Sequence, residues 1–126
     1  FLKLAQLAFW GIHRELSKSY FFIEDMENMT AFADYIIPVA LESFGIVKYS
    51  SELKEKIDSG ILIDKDSTEE IEIRSTSIYA TAKLTELINN YKKEEEKIII
   101  PQLDFKIWTD FHADERPHHL TKTIMY

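Results

Sequence analysis

Residues 67–91, STEEIEIRSTSIYATAKLTELINNY, decide the fold class. Ser67 followed three positions on by Glu70 is a capping box: the Ser67 hydroxyl satisfies an early N–H and Glu70 reaches back. A long helix follows. Ile71, Arg74, Ser75, Ile78, Ala82 and Thr85 fall near one face, and Ile73, Ser77, Ala80, Leu84, Leu87, Ile88 and Tyr91 extend the buried surface. Upstream, Gly60 ends a helix over 52–58 that Ser50 or Ser51 caps, and Gly45 ends the helix before it. Downstream, the mixed charges of residues 92–97 read as a solvated helix end and loop. Pro101 then opens a helix carrying Leu103, Phe105, Ile107, Trp108 and Phe111.

The same reading covers the rest of the chain. Residues 1–16 place Leu4, Leu7, Ala8, Ile12 and Leu16 at helical spacings, a stripe expected to pack into the core, with Lys3, Gln6, Arg14 and Glu15 at polar positions. Residues 20–23 form an apolar run, expected to be a buried connection to a short helix over 25–28. Residues 61–63 fit a strand or a packed loop, and the tail from Leu120 lacks the alternation of a strand. With no internal repeat, the chain is expected to be all-α, a single helical domain over 1–126.

Composition narrows the function. At 126 residues and 45% hydrophobic content the chain buries one modest core, and 13% aromatics exclude a disordered acidic chain. A formal charge of −7 argues against direct nucleic-acid binding, since phosphates need clustered Lys and Arg. There is no cysteine, which excludes thiolate metal sites and cysteine nucleophiles. No apolar run approaches the roughly 20 residues that span a bilayer. A soluble, cytoplasmic protein that contacts no membrane is expected.

Within the stretch Thr30-Ala31-Phe32-Ala33-Asp34-Tyr35-Ile36-Ile37-Pro38, one carboxylate stands among apolar and aromatic neighbours. Asp34 there either caps a helix or does chemistry. Other chemistries lack their patterns. His112, His118, His119, Asp110, Asp114 and Glu115 lie close in sequence but without metal-ligand spacing, no glycine-flanked nucleophilic serine occurs, and no glycine-rich phosphate loop is present. Neither a metal nor a cofactor is expected.

Asp34 has company. The segments Gly45-Ile46-Val47-Lys48-Tyr49-Ser50-Ser51-Glu52-Leu53, Glu70-Ile71-Glu72-Ile73-Arg74, Leu103-Asp104-Phe105-Lys106-Ile107-Trp108 and Pro117-His118-His119-Leu120-Thr121-Lys122-Thr123-Ile124-Met125-Tyr126 follow in order. Together they resemble the carboxy-terminal part of the queuosine-salvage proteins, the queuosine 5′-phosphate N-glycosidases. The resemblance covers nearly the whole chain, and it rests on the order of several weak patterns and on the terminal tyrosine.

The resemblance implies a helical fold similar to that of DNA glycosylases and a longer protein whose amino-terminal half completes the pocket. It implies hydrolysis of the N-glycosidic bond of queuosine 5′-phosphate, releasing queuine for tRNA modification. Asp34 is then the catalytic carboxylate, stabilising the positive charge that develops on the ribose. Phe32, Tyr35, Glu72, Arg74, His119 and Tyr126 are the substrate-binding candidates; Arg74 meets a phosphate or pairs with Glu70, four residues away. The chain also departs from the family pattern. Ile36 and Val39 stand where arginine and glutamine are usual, and His118 and Leu120 replace a phenylalanine and an arginine. These losses leave open a second reading, a non-catalytic helical ligand-binding or interaction module of the same descent.

Overall fold

The computed structural model describes residues 1–17 and 22–124. Five α-helices carry the fold: α1 (Lys3–Leu16), α2 (Ile36–Ser43), α3 (Ser51–Asp58), α4 (Thr68–Asn89) and α5 (Ile100–Phe111). Two 3₁₀ turns, Met26–Asn28 and Glu94–Glu96, sit between them. The described residues contain no strand; Leu62 and Leu120 form a single parallel bridge, with the Ile63 N–H donating to the Leu120 carbonyl at 2.8 Å. The all-α class is thus what the chain adopts, and the 61–63 run is a packed loop.

Local chemistry sets the helix ends. Ser50 Oγ accepts from Leu53 N at 3.2 Å and Ser67 Oγ from Glu70 N at 3.3 Å, each satisfying a donor that the first turn leaves orphaned. The reciprocal half of the capping box is displaced: Glu70 accepts from the N–H of Asp66 instead of Ser67. Both α2 and α3 close in Schellman motifs, where Ile46 N–H bonds the Leu41 carbonyl and Ile61 N–H the Lys56 carbonyl. Gly45 (φ 71°) and Gly60 (φ 66°) supply the left-handed residue each motif requires.

α2, α4 and α5 pack on one another around Ile37, Ala40, Leu41, Ala80, Leu103 and Ile107. α3 adds Leu53 and Ile57 to a second cluster with Ile63 and Ile73. Each fully buried aliphatic side chain of this kind contributes about 1.5–3 kcal/mol.

Two expectations are corrected. The buried face of α4 runs through Glu70, Ile73, Arg74, Ser77, Ala80, Thr81 and Thr85, whereas Ile71, Leu87 and Tyr91 are exposed. Of its polar members, Ser77 Oγ donates to the Ile73 carbonyl and Thr85 Oγ1 to the Thr81 carbonyl, both at 2.8 Å, while the buried Thr81 Oγ1 has no hydrogen-bond partner among the described residues. The second correction is α1. Leu4, Leu7, Ala8, Ile12 and Leu16 are exposed, and Trp10 is its buried residue. Polar and aromatic contacts turn the other side of α1 inward. Gln6 bonds Thr30, and the Arg14 guanidinium lies 4.1 Å from the Phe105 ring centroid. Of the expected buried connection over 20–23, residues 20 and 21 lie outside the described residues, Phe22 is exposed and Ile23 is half-buried.

Candidate active site

Three helices fix the segment Thr30–Asp34 by side chains. From α1, Gln6 Oε1 accepts from Thr30 N at 2.9 Å. From α5, Asp104 Oδ2 accepts from Phe32 N at 2.8 Å. From α4, Arg74 Nε donates to the Ala33 carbonyl at 3.2 Å. Such anchoring sustains a costly backbone: Ala33 is buried at φ 53°, a left-handed conformation that a residue with a Cβ seldom adopts. The turn it makes aims Asp34 at the start of α2.

Asp34 is 4% exposed, and its Oδ1 accepts from Ile36 N and Ile37 N, both at 2.9 Å. Its Oδ2 has no hydrogen bond within the protein among the described residues. The carboxylate therefore caps α2 with one oxygen and keeps the other. Asp104, 1% exposed, does the same with roles exchanged: Oδ2 holds the Phe32 N–H and Oδ1 has no hydrogen bond among the described residues.

Both carboxylates line a cavity of about 430 Å³, with Lys3, Phe32, Tyr35 and Trp108 among its walls. Leu7 of α1 and Phe105 of α5 complete the apolar lining. Burial dominates the electrostatics. It raises the Asp34 pKa, against the two backbone N–H groups and the Lys3 ammonium, which favour the charged form. Burial raises Asp104 further, to about 7, with the nearby Asp34 charge adding to the effect. Lys3 is lowered by its own desolvation, while both carboxylates hold its proton on. Two carboxyl groups with separated proton affinities beside one ammonium form an acid–base set in an aromatic pocket.

The residues expected at the site divide. Phe32, Asp34 and Tyr35 share the cavity, and the Tyr35 ring lies 4.6 Å from that of His118. Arg74 stands behind them, paired with Glu70 at 3.0 Å, its guanidinium facing the Phe1 ring in a neighbouring cavity of about 470 Å³. His119 is buried on that side, and desolvation lowers its pKa to about 4. Glu72 is exposed and borders a separate 160 Å³ depression beside Tyr49. Tyr126 lies outside the described residues. Ile36 and Val39 are buried and are not among the residues that line the Asp34 cavity.

Sequence reading passed over Lys3 and Asp104. Asp104 carried a signal: it stands between Leu103 and Ile107 on the buried stripe of α5, where an ionisable residue is out of place unless paired or functional. Lys3 carried none, being one polar residue on a helix with polar positions to spare.

The sequence profile of the queuosine salvage protein family matches residues 1–126. Among curated proteins, the chain is 33% identical over 132 residues to a queuosine 5′-phosphate N-glycosylase/hydrolase of Dictyostelium discoideum, covering 100% of this chain and 40% of that protein. It is 33% identical over 113 residues to the mouse protein of that name, covering 82% of this chain and 33% of the relative. Against the Sphaerobacter thermophilus protein of the same name, identity is 30% over 106 residues, with 82% and 32% covered. The chain thus spans less than half the length of these relatives.

Proposed function

The chain belongs to the queuosine salvage protein family, and from that premise we propose that it carries the catalytic carboxylates for hydrolysing the N-glycosidic bond of queuosine 5′-phosphate. The observation that carries the reading is the pair Asp34 and Asp104, buried in one aromatic cavity with Lys3, each keeping an oxygen that no donor among the described residues occupies.

In this reading the bond between ribose C1′ and the base nitrogen breaks, and positive charge develops on the sugar. Asp34, whose pKa burial raises while two backbone N–H groups and Lys3 favour its charged form, stabilises that charge as the carboxylate. Asp104, with an affinity near neutral pH, carries a proton on Oδ1 and gives it to the departing base. Water adds its oxygen to C1′ and yields a proton that restores Asp104. The products are free base and ribose 5-phosphate. Tyr35 and Phe32 supply stacking surface for the base. Arg74, engaged with Glu70 and the Ala33 carbonyl, is a positioning residue, holding the backbone that aims Asp34.

The test is Asp34→Asn, assayed by single-turnover release of free base from queuosine 5′-phosphate. The 126-residue chain is used alone and joined to the amino-terminal part of the Dictyostelium relative. Asn caps a helix as well as Asp, so the melting temperature stays near that of the parent while turnover falls roughly a hundredfold or more. The parent chain alone is expected to turn over poorly, because an open cavity leaves water to screen the charges that the joined form excludes. Unchanged turnover in the variant removes Asp34 from catalysis. No release by the parent in either form favours the non-catalytic binding module.

A further inference from the structure

Four aromatic rings line the cavity of the two carboxylates, and they are held in two ways. Phe32 packs into a buried cluster with Trp10 and Met26, and Phe105 packs against that cluster. Tyr35 and Trp108 belong to none of the buried clusters and are 37% and 38% exposed. Among the described residues neither the Tyr35 hydroxyl nor Trp108 Nε1 makes a hydrogen bond, and each ring meets a histidine instead. The His118 ring lies 4.6 Å from that of Tyr35, tilted by 35°, and the His112 ring is stacked 4.8 Å from that of Trp108 at 14°. The two histidines are themselves tethered alike. His118 Nδ1 stands 2.9 Å from the His119 carbonyl, and His112 Nδ1 2.8 Å from the Thr109 carbonyl. A carbonyl only accepts, so each Nδ1 carries a proton and donates it, which restrains the plane of the imidazole.

We propose that His118 and His112 are positioning residues that hold Tyr35 and Trp108 as stacking plates for the planar heterocyclic base of the substrate, which rests on the reading that the base occupies this cavity. A side chain free to turn loses that freedom when a ligand stacks on it, at a cost in affinity; a ring already backed by a second ring has lost it on folding. Each histidine covers part of its partner and leaves the exposed remainder of the ring for the ligand. The two supports differ in origin. His112 follows Trp108 by four positions at the end of α5, so the helix itself brings the rings together. His118 reaches Tyr35 from the segment after α5, so that segment contributes to the cavity through Tyr35 without lining it. Stacking accepts any planar base, so the plates select for flatness and leave the pattern of donors and acceptors to be read by the carboxylates.

The probe is queuine, the free base, titrated calorimetrically into the 126-residue chain alone and joined to the amino-terminal part of the Dictyostelium relative. His118→Ala and His112→Ala are each expected to raise Kd about three- to tenfold, the worth of one aromatic pair, with the melting temperature near that of the parent. His118→Phe and His112→Phe keep a flat ring behind each plate and are expected to bind within about twofold of the parent. In the joined form the alanine variants raise KM for queuosine 5′-phosphate to the same extent and leave kcat nearly as it was, because stacking on the base is as strong before the transition state as in it. A readout without ligand accompanies these. The chain has two tryptophans, so in a Trp10→Phe background the fluorescence anisotropy of Trp108 reports its own motion, and His112→Ala is expected to lower it. Each histidine is judged by its own pair of variants: queuine affinity unchanged by alanine, or lowered and not restored by phenylalanine, overturns its assignment. No queuine binding by the parent in either form overturns both. Binding with the expected alanine losses but no turnover upholds the plates and removes only the catalytic reading; turnover with unaffected alanine variants does the reverse.

Discussion

α1 and α5 are amphipathic helices of 14 and 12 residues, and they treat their apolar stripes in opposite ways. α5 turns Leu103 and Ile107 into the core and takes Asp104 in with them. α1 turns Phe9, Ile12 and Leu16 outward and docks by a lysine, a glutamine, a tryptophan and an arginine. The periodicity of a sequence states that a helix has an apolar face; what that face meets depends on which other groups compete for the inside. For α1 the competitors are long-range: Gln6 satisfies the part-buried Thr30 N–H, Arg14 lies over the Phe105 ring, and Trp10 joins the cluster of Met26 and Phe32, although its Nε1 has no hydrogen-bond partner among the described residues.

Substituting the same residue type on the two helices tests this contrast most severely. Ile107→Ala removes a core side chain of α5 and is expected to cost about 2–5 kcal/mol in denaturant unfolding. Ile12→Ala on α1, judged against it in the chain alone, is expected to change stability by no more than about 0.5 kcal/mol. Comparable costs would mean that α1 buries its stripe after all.

A second way to sharpen the comparison is pH, because α5 carries a titrating group into the interior. Asp104 has a native affinity near 7 against an ordinary value of 3.8, so the native state keeps a proton that the unfolded chain has lost. Its contribution to stability is therefore greatest below about pH 4 and declines as pH rises to about 7. His119 acts oppositely. Lowered from 6.5 to about 4, it stays neutral while the unfolded chain protonates, so its contribution is lost as pH falls through that interval. The two partly cancel in the parent protein. Asp104→Asn removes the falling component, and its melting temperature is expected to rise with pH between about 4 and 6.5, where the parent curve is flatter. Identical curves would place the Asp104 affinity at its ordinary value.

A loss smaller than that of Ile107→Ala concerns the polar docking of α1. Gln6→Ala removes two contacts to Thr30, each at 2.9 Å and part-buried, and is expected to cost about 1 kcal/mol while loosening α1 ahead of the core. Hydrogen exchange reads this directly: amides of α1 gain exchange and those of α5 do not.

What was legible in the sequence was local. Ser50, Ser67, Gly45 and Gly60 each signal through neighbours within a few residues, and the helix ends fall where those signals put them. Asp34 was legible as a choice between cap and chemistry, and its geometry is compatible with both, since one carboxylate oxygen caps α2 and the other has no hydrogen bond among the described residues. The orientation of α1, the polar buried face of α4 and the pairing of Asp34 with Asp104 and Lys3 were not legible. Each depends on contacts between residues far apart in the chain, such as Arg74 with Ala33 at a separation of 41 and Asp104 with Phe32 at 72, for which no short pattern exists.

Those separations have a consequence for a chain made from its amino terminus onward. Thr30–Asp34 leaves the ribosome with Gln6 already made, but Arg74 follows 41 residues after Ala33 and Asp104 follows 72 after Phe32. Until α5 has been synthesised and has closed that long loop, the left-handed turn at Ala33 lacks one of its three restraints and Asp34 faces no second carboxylate. A nascent or prematurely terminated chain ending within α4 carries Asp34 but no assembled acid–base pair. The arrangement thus makes the cavity a property of the sequence from Lys3 through Trp108, so translation interrupted before α5 yields chains without the paired carboxylates.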